Sequence, residues 1–388
     1  MTEAPFASFQ HEIYLRGMGG QKPEHPLGWA DLEAAAYEKL GPEARGYLFG
    51  GAGTEDTMRA NLEAFRRRRI VPRMLADVSE RDLACNLHGT QMPAPVLVSP
   101  IGVQSIVHPD GELATARAAA SVGLPFVCST AASYPMEEIA QANGSGPRWF
   151  QLYWPSDPEL ARSFVSRAER AGYEAIVVTL DNHLLGWRPR DLQEAYLPFL
   201  QSIGIANYLS DPVFLAALPK PPEEDPNAAV GHFITVFSHP GASWSDLETL
   251  RSATELPILL KGILDADDAR RALEHGADGV VVSNHGGRQV DGAIAALDAL
   301  APIADALSDQ MSVLFDSGIR SGADAVKALA LGADAVLLGR PHVWGLALDG
   351  EEGVRQVLRA FLADLDLTLG LSGHRSVTTL GPEILVEV

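Results

Sequence analysis

The chain has 388 residues, 46% of them hydrophobic, which suits one large α/β barrel or two ordinary domains. Its formal net charge of −20 disfavours nucleic acid and anionic membrane as partners, and it means that an anionic ligand needs a local cluster of cations. No apolar run approaches the roughly 20 residues that span a bilayer, the opening "MTEAPFASFQHEIYLRG" has no secretory pattern, and Cys85 and Cys128 have no partner histidines at zinc spacing, so a cytoplasmic protein without a metal is expected.

Residues 1–90 read as an N-terminal extension with helical character, 91–373 as a barrel and 374–388 as a tail, all within one domain. The run "RRRR" at 66–69 is a possible anion site, but it reads better as a solvated helix end. Short apolar, β-branched runs then recur: "PVLVS" (95–99), "PFVCS" (125–129), "RWFQLY" (148–153), "AIVVTL" (175–180), "PILLKG" (257–262), "GVVVSN" (279–284), "SVLFDSG" (312–318) and "AVLLGR" (335–340). Helical stretches such as "DPELARSFVSRAERAGY", "DADDARRALEHGAD" and "SGADAVKALALGAD" lie between them, the last two stopping at Gly-Ala-Asp. Continuous hydrophobic strands alternating with helices imply a parallel sheet buried on both faces. Eight units are the count of a (β/α)8 TIM barrel. An open doubly wound sheet is the alternative, weakened by the lack of any G-x-G-x-x-G after a strand and of any G-x-x-x-x-G-K.

Barrel enzymes work at the C-terminal ends of their strands. Those ends carry Ser99, Ser129, Gln151 with Tyr153, Thr179 with Asp181, Lys261, Ser283 with His285 and Arg288, Asp316, and Gly339 with Arg340. After the last two strands, "DSGIRSG" and "LLGRP" place glycines and arginines where barrels often bind phosphate. Tight turns at Gly318, Gly322 and Gly339 are the plainer reading, but Arg320 and Arg340 favour phosphate. Arg188 and Arg288 suit a substrate carboxylate, Tyr47 and Tyr153 can add hydroxyl donors, and His285 is the natural general base. Asp181 either stabilises the imidazolium or caps a helix. Isomerisation, hydrolysis and redox chemistry all remain compatible with this spacing.

"SNHGGRQVDG" closely resembles the signature of the FMN-dependent 2-hydroxy-acid oxidase and dehydrogenase family, and the likeness runs from about Tyr37 to Gly373. It includes "GGAGTEDTMRAN", "VPRML", "SPIGVQSIVHPDGE", "FQLYW", "LPILLKGI", "DSGIRSGADAVKALALGA" and "GRPHVWGLA". "GWRPRDL", "SPIGV" and the long connection between the fourth and fifth strands look most like the lactate 2-monooxygenase branch. The resemblance implies FMN as cofactor, His285 as base, Asp181 as its partner acid, and Arg288, Arg188, Tyr47 and Tyr153 around the substrate. It places the flavin ring against Pro100, Ile101, Gly102, Ser129, Gln151, Thr179, Lys261 and Ser283, with Lys261 supporting the reduced ring. It gives the phosphate to Asp316, Ser317, Gly318, Ile319, Arg320, Gly339 and Arg340, and it suggests a homo-oligomer, tetramer or octamer.

Two departures bear on substrate and oxygen. Many members read L-D-T-P or L-D-T-W where this chain has "LDNHLLGW", so Asn182 and His183 reshape a pocket wall, and Gly102 replaces a common alanine. Residues 189–245, with "LPKPPEEDPNAAVG" at their centre and a short candidate helix at "DPVFLAALP", read as a lid that excludes water. The expected activity is oxidation of a small L-2-hydroxy acid, foremost L-lactate, by oxygen to acetate, carbon dioxide and water. A 2-hydroxy-acid oxidase releasing the 2-oxo acid and peroxide, or a dehydrogenase with another electron acceptor, is the alternative. A flavin-binding barrel without turnover is disfavoured by the intact His285, Arg288, Lys261 and Asp181.

Overall fold

The computed structural model describes residues 5–388, and each of the eight runs forms a strand. They are β1 Val96–Val98, β2 Phe126–Ser129, β3 Arg148–Tyr153, β4 Ile176–Thr179, β5 Ile258–Ile263, β6 Gly279–Val282, β7 Ser312–Phe315 and β8 Ala335–Leu338. Every strand pairs in parallel with its sequence neighbours, and β8 returns to β1 to close a TIM barrel. The connecting helices begin where side chains satisfy their free N–H groups. Asp157 caps Pro158–Arg170, Asp265 caps Ala266–Glu274, and Ser321 with Asp324 forms a capping box on Gly322–Ala330.

Period-two alternation sorts the strand residues by layer. Leu97, Val127, Trp149, Val177, Leu259, Val281, Leu314 and Leu337 fill the barrel interior as one apolar cluster. The other parity (Val96, Val98, Phe126, Phe150, Ile176, Val178 and their equivalents) packs against the surrounding helices. Beneath the interior layer a hairpin, Cys85–Leu87 with Thr90–Met92, inserts Leu87 and Met92 into the same cluster. The Trp149 indole N–H donates to Thr90 Oγ1 at 2.9 Å, so the N-terminal end of the barrel is plugged. Three-residue strands leave too little pattern for this hairpin to be read from sequence.

The arginine run does not form a solvated helix end as a whole. The helix Asp56–Arg66 ends at its first arginine, and Arg68–Ile70 pairs antiparallel with Leu385–Glu387 in the tail. Arg67 and Arg68 both bind the Asp298 carboxylate, at 2.5 and 2.8 Å. No helix among the described residues is long and apolar enough to cross a membrane.

The 189–245 connection is folded. It contains Pro189–Gln193, Ala206–Leu209, Pro212–Ala216 and Pro226–Val236, around an aromatic cluster of Phe199, Tyr208, Phe214, Phe233 and Phe237. Its middle is tied into the barrel. The fully buried Asn207 accepts from Met136 N–H at 2.8 Å and donates to the carbonyls of Ser129 and Thr130 at 3.3 and 3.0 Å. Arg167, on the helix after β3, donates to Asn207 O at 2.7 Å and to Asp211 at 3.1 Å while holding Glu137 with two further bonds. Asn207→Ala leaves those buried backbone groups unsatisfied. It is expected to cost about 2–3 kcal/mol in denaturant unfolding and to speed proteolysis within 189–245. An unchanged unfolding midpoint would show that the segment is not held there.

Candidate active site

Two residues beyond the interior apolar layer, the same parity brings Ser99, Ser129, Gln151, Thr179, Lys261, Ser283, Asp316 and Gly339 to the C-terminal rim. A cavity of about 1060 Å³, its open mouth included, lies over this rim. Of the residues named from sequence, it is lined by Tyr47, Ser99, Pro100, Ile101, Gly102, Tyr153, Thr179, Asn182, Arg188, Lys261, His285, Arg288, the whole of 316–320, Gly339 and Arg340. Ser129, Gln151, Ser283 and Asp181 lie behind that lining, joined to it by hydrogen bonds. Ser129 Oγ accepts from Ala131 N–H at 3.1 Å and donates to Gln151 Oε1 at 3.0 Å.

His285 stands in the segment after β6, with its backbone at φ 58 and Gly286 and Gly287 following at 64 and 76. Left-handed backbone is strained for a histidine, and it is held by side chains. His285 N–H donates to Ser283 Oγ at 3.0 Å, Gly286 N–H to Ser317 Oγ at 3.0 Å, and Gly287 N–H to Asn284 Oδ1 at 3.1 Å. The two glycines thus let the chain turn sharply enough to lift the imidazole over the rim. Its Nδ1 lies 2.8 Å from Asp181 Oδ1. A bulge in β5 makes room for that carboxylate, because a Cβ on Gly262 (φ 109) would fall 2.8 Å from Asp181 Cβ. Burial lowers the His285 pKa from its ordinary value, with Asp181 opposing. Burial alone would raise Asp181, but His285 and Lys261 outweigh it and hold its carboxyl below the usual range.

Beside the imidazole stand two guanidinium groups. Arg288 donates to the carbonyls of Tyr47 and Gly50 at 2.6 and 2.8 Å, and its guanidinium lies over the Tyr47 ring. Arg188 donates to Arg288 O at 3.0 Å and to Gln289 Oε1 at 2.6 Å. Burial first, and Arg288 second, pull Arg188 down to about 10. Both tyrosine hydroxyls are raised by burial and stay protonated donors. At the floor, Lys261 Nζ donates to Ser283 Oγ at 3.0 Å and lies 3.3 Å from Asp316 Oδ2.

At the far end Arg340 donates to the carbonyls of Leu48, Gly286 and Gly50, and Arg320 to its own Ile319 O. Neither has a carboxylate partner among the described residues. Burial, then Arg320 and Arg288, pull Arg340 down to about 9. The N-terminal segment completes this end. Asp291 accepts from Thr54 N–H and Oγ1, Asp56 N–H and Thr57 N–H, at 2.6 to 3.1 Å, and so caps the helix Asp56–Arg66 from more than 230 residues away. Asn61 and Asn284 exchange a reciprocal amide pair at 2.8 and 2.7 Å.

The family of FMN-dependent dehydrogenases matches residues 36–387. The chain belongs to that family. It is 44% identical over 376 residues to an L-lactate oxidase of Lysinibacillus sphaericus, covering 97% of this chain and 96% of the relative. It is 45% identical to the FMN-dependent alpha-hydroxy acid dehydrogenase qulF of Penicillium citrinum, covering 97% and 95%. A crystal structure of mandelate oxidase matches with a TM-score of 0.83 at 41% identity, covering 94% of this chain and 98% of that one. The protein is therefore an FMN-dependent oxidoreductase acting on 2-hydroxy acids.

The residues present fit the family's cofactor. Two half-buried guanidiniums whose hydrogen bonds go only to carbonyls suit a phosphate. The Gln151 amide N–H₂ is buried without an acceptor, as a ring carbonyl would require. Gly102 approaches β2's loop so closely that a Cβ would fall 2.4 Å from Ala131 O, so the alanine common in the family needs a shifted loop here. Sequence reasoning missed Leu48, Ala131, Leu185, Phe199, Phe237, Gly286 and Leu337 in the lining. The two phenylalanines come from the folded connection, and no periodicity marks them.

A Cβ on Gly287 would lie 2.6 Å from the backbone N of Met58. Gly287→Ala is therefore expected to lose about 1–3 kcal/mol of stability and to release FMN more readily, read by thermal unfolding and by fluorescence of freed flavin. A variant with wild-type stability and retention would contradict this packing.

Proposed function

We propose that the protein oxidises a short L-2-hydroxy acid, L-lactate foremost, with oxygen as final acceptor. One observation carries this reading: the His285–Asp181 pair and the Arg188–Arg288 pair line or abut one cavity, so a single small molecule can offer its carboxylate to one and its carbinol to the other. Arg288 and Arg188 bind the carboxylate, with the Tyr47 and Tyr153 hydroxyls donating beside it. With the Nδ1 proton donated to Asp181, His285 keeps Nε2 free to accept the substrate proton. Asp181 fixes the ring and stabilises its charged form. FMN, when bound, takes up the two electrons. Pro100 to Gly102, Ser129, Gln151, Thr179, Lys261 and Ser283 would hold its ring, and Asp316 to Arg320 with Gly339 and Arg340 its phosphate.

Phe237 packs tilted against Tyr153, with ring centroids 5.3 Å apart, and Phe199 backs it at 5.4 Å. This wall favours a short substrate side chain. It also encloses the product, which supports the monooxygenase outcome: a retained 2-oxo acid meets peroxide and leaves as the shortened acid, carbon dioxide and water. The L-lactate oxidase relative favours the second reading, in which pyruvate and peroxide leave separately.

Incubating the FMN-loaded protein with L-lactate in air and quantifying acetate, pyruvate and peroxide separates the two. Failure of any 2-hydroxy acid to bleach the flavin without oxygen would sink the whole reading. His285→Ala should retain flavin and slow its reduction by about 10²–10⁴-fold. Because burial lowers the His285 pKa, the base is neutral at pH 7, and kcat/KM should fall only as acid protonates it below its ordinary value. Asp181 opposes that lowering, so Asp181→Asn should move the acid limb further down while reducing the rate; a limb that stays put would remove Asp181 from this role.

A further inference from the structure

We propose that Asp191 is an internal competitor for the guanidinium pair that takes the substrate carboxylate, and that it thereby sets how quickly a carboxylate leaves. The proposal rests on the proposed function, in which Arg188 and Arg288 bind that carboxylate. Asp191 lies in the first turn of the short helix Pro189–Gln193, with its side chain 12% exposed. Its Oδ2 stands 3.9 Å from Arg288 Nη2, and Oδ1 is buried with no hydrogen-bond partner. Among the described residues it is the one carboxylate within 4.0 Å of either guanidinium.

Every other partner of the two arginines is a neutral carbonyl or amide oxygen. A separation of 3.9 Å is too long for a hydrogen bond, so Asp191 leaves the Arg288 Nη2 donors open to an incoming anion. Its charge is nevertheless close enough to subtract from the attraction, and with both side chains largely withdrawn from solvent the screening is weak. The neighbouring Arg190 is bound to Glu55 at 2.6 Å, which fixes the segment that carries the carboxylate. Substrate and 2-oxo product bear the same carboxylate, and two unopposed guanidiniums would hold both. Tight binding of both adds nothing to the chemical step and delays release. A fixed negative charge beside the clamp weakens both alike and frees the product.

The test titrates the FMN-loaded protein with pyruvate and with lactamide, read by perturbation of flavin absorbance, and follows pyruvate release by stopped flow. Asp191→Asn should bind pyruvate about tenfold more tightly, chiefly through slower release. Asp191→Glu, whose longer arm reaches Arg288, should bind it several-fold more weakly and serves if the asparagine variant loses flavin. Lactamide affinity should change little in either. Pyruvate bound equally or more weakly by Asp191→Asn, or as tightly as wild type by Asp191→Glu, would overturn the proposal. Equal changes for pyruvate and lactamide would overturn it too. If wild type itself binds pyruvate no better than lactamide, the carboxylate reading of Arg188 and Arg288 fails instead.

Discussion

Closing eight parallel strands into a barrel turns every second side chain inward, and the rest of the molecule is arranged around that constraint. The inward positions must first fill a core, which Leu97, Val127, Trp149 and their five equivalents do. The next inward position is too high to be covered by the barrel and too near the axis to reach solvent freely. Polar groups there converge on one space, and several are satisfied by a neighbour on the rim: Ser129 by Gln151, Lys261 by Ser283 and Asp316. The hairpin at the opposite end seals the axis with Leu87 and Met92, so only one mouth remains for a ligand. Position of the site follows from strand direction rather than from any feature of the site itself.

Charge is distributed against the average of the chain. A protein with net charge −20 gathers Arg188, Lys261, Arg288, Arg320 and Arg340 along one cavity. Burying like charges together is costly, and the depressed pKa values of Arg188 and Arg340 express that cost. Backbone carbonyls from 47 to 50 and 286 to 288 hold the guanidiniums without neutralising them. Such an arrangement is poised for anions, as the proposed phosphate and carboxylate sites require. The same carbonyls belong to the N-terminal segment and to the His285 turn, so anion sites and base are set by one scaffold.

The connection between β4 and β5 shows how a long insertion becomes part of a site. Its outer parts supply Arg188, Phe199 and Phe237 to the cavity, while its middle is locked to β2 through Asn207 and to the helix after β3 through Arg167. The stretches on either side of that anchor are the ones that touch the cavity.

Sequence alone determined the eight strands and their order, because strands buried on both faces read as unbroken apolar runs. It also located His285, Arg288, Lys261 and the glycine–arginine ends of β7 and β8, since polar residues directly after such runs stand where a barrel opens to its ligand. Family likeness added Pro100 to Gly102 and the cofactor. The pairing of Asp181 with His285 became a distance only once the bulge at Gly262 was in place. The arginine run looked like a helix end until Asp298 and the chain's last strand claimed it. Asp291 capping a helix more than 230 residues earlier, Asn207 anchoring the insert and Asp191 facing Arg288 carry no local signature. Periodicity reports which face of an element is buried; the identity of what lies across from it is a long-range contact, and only the tertiary structure decides that.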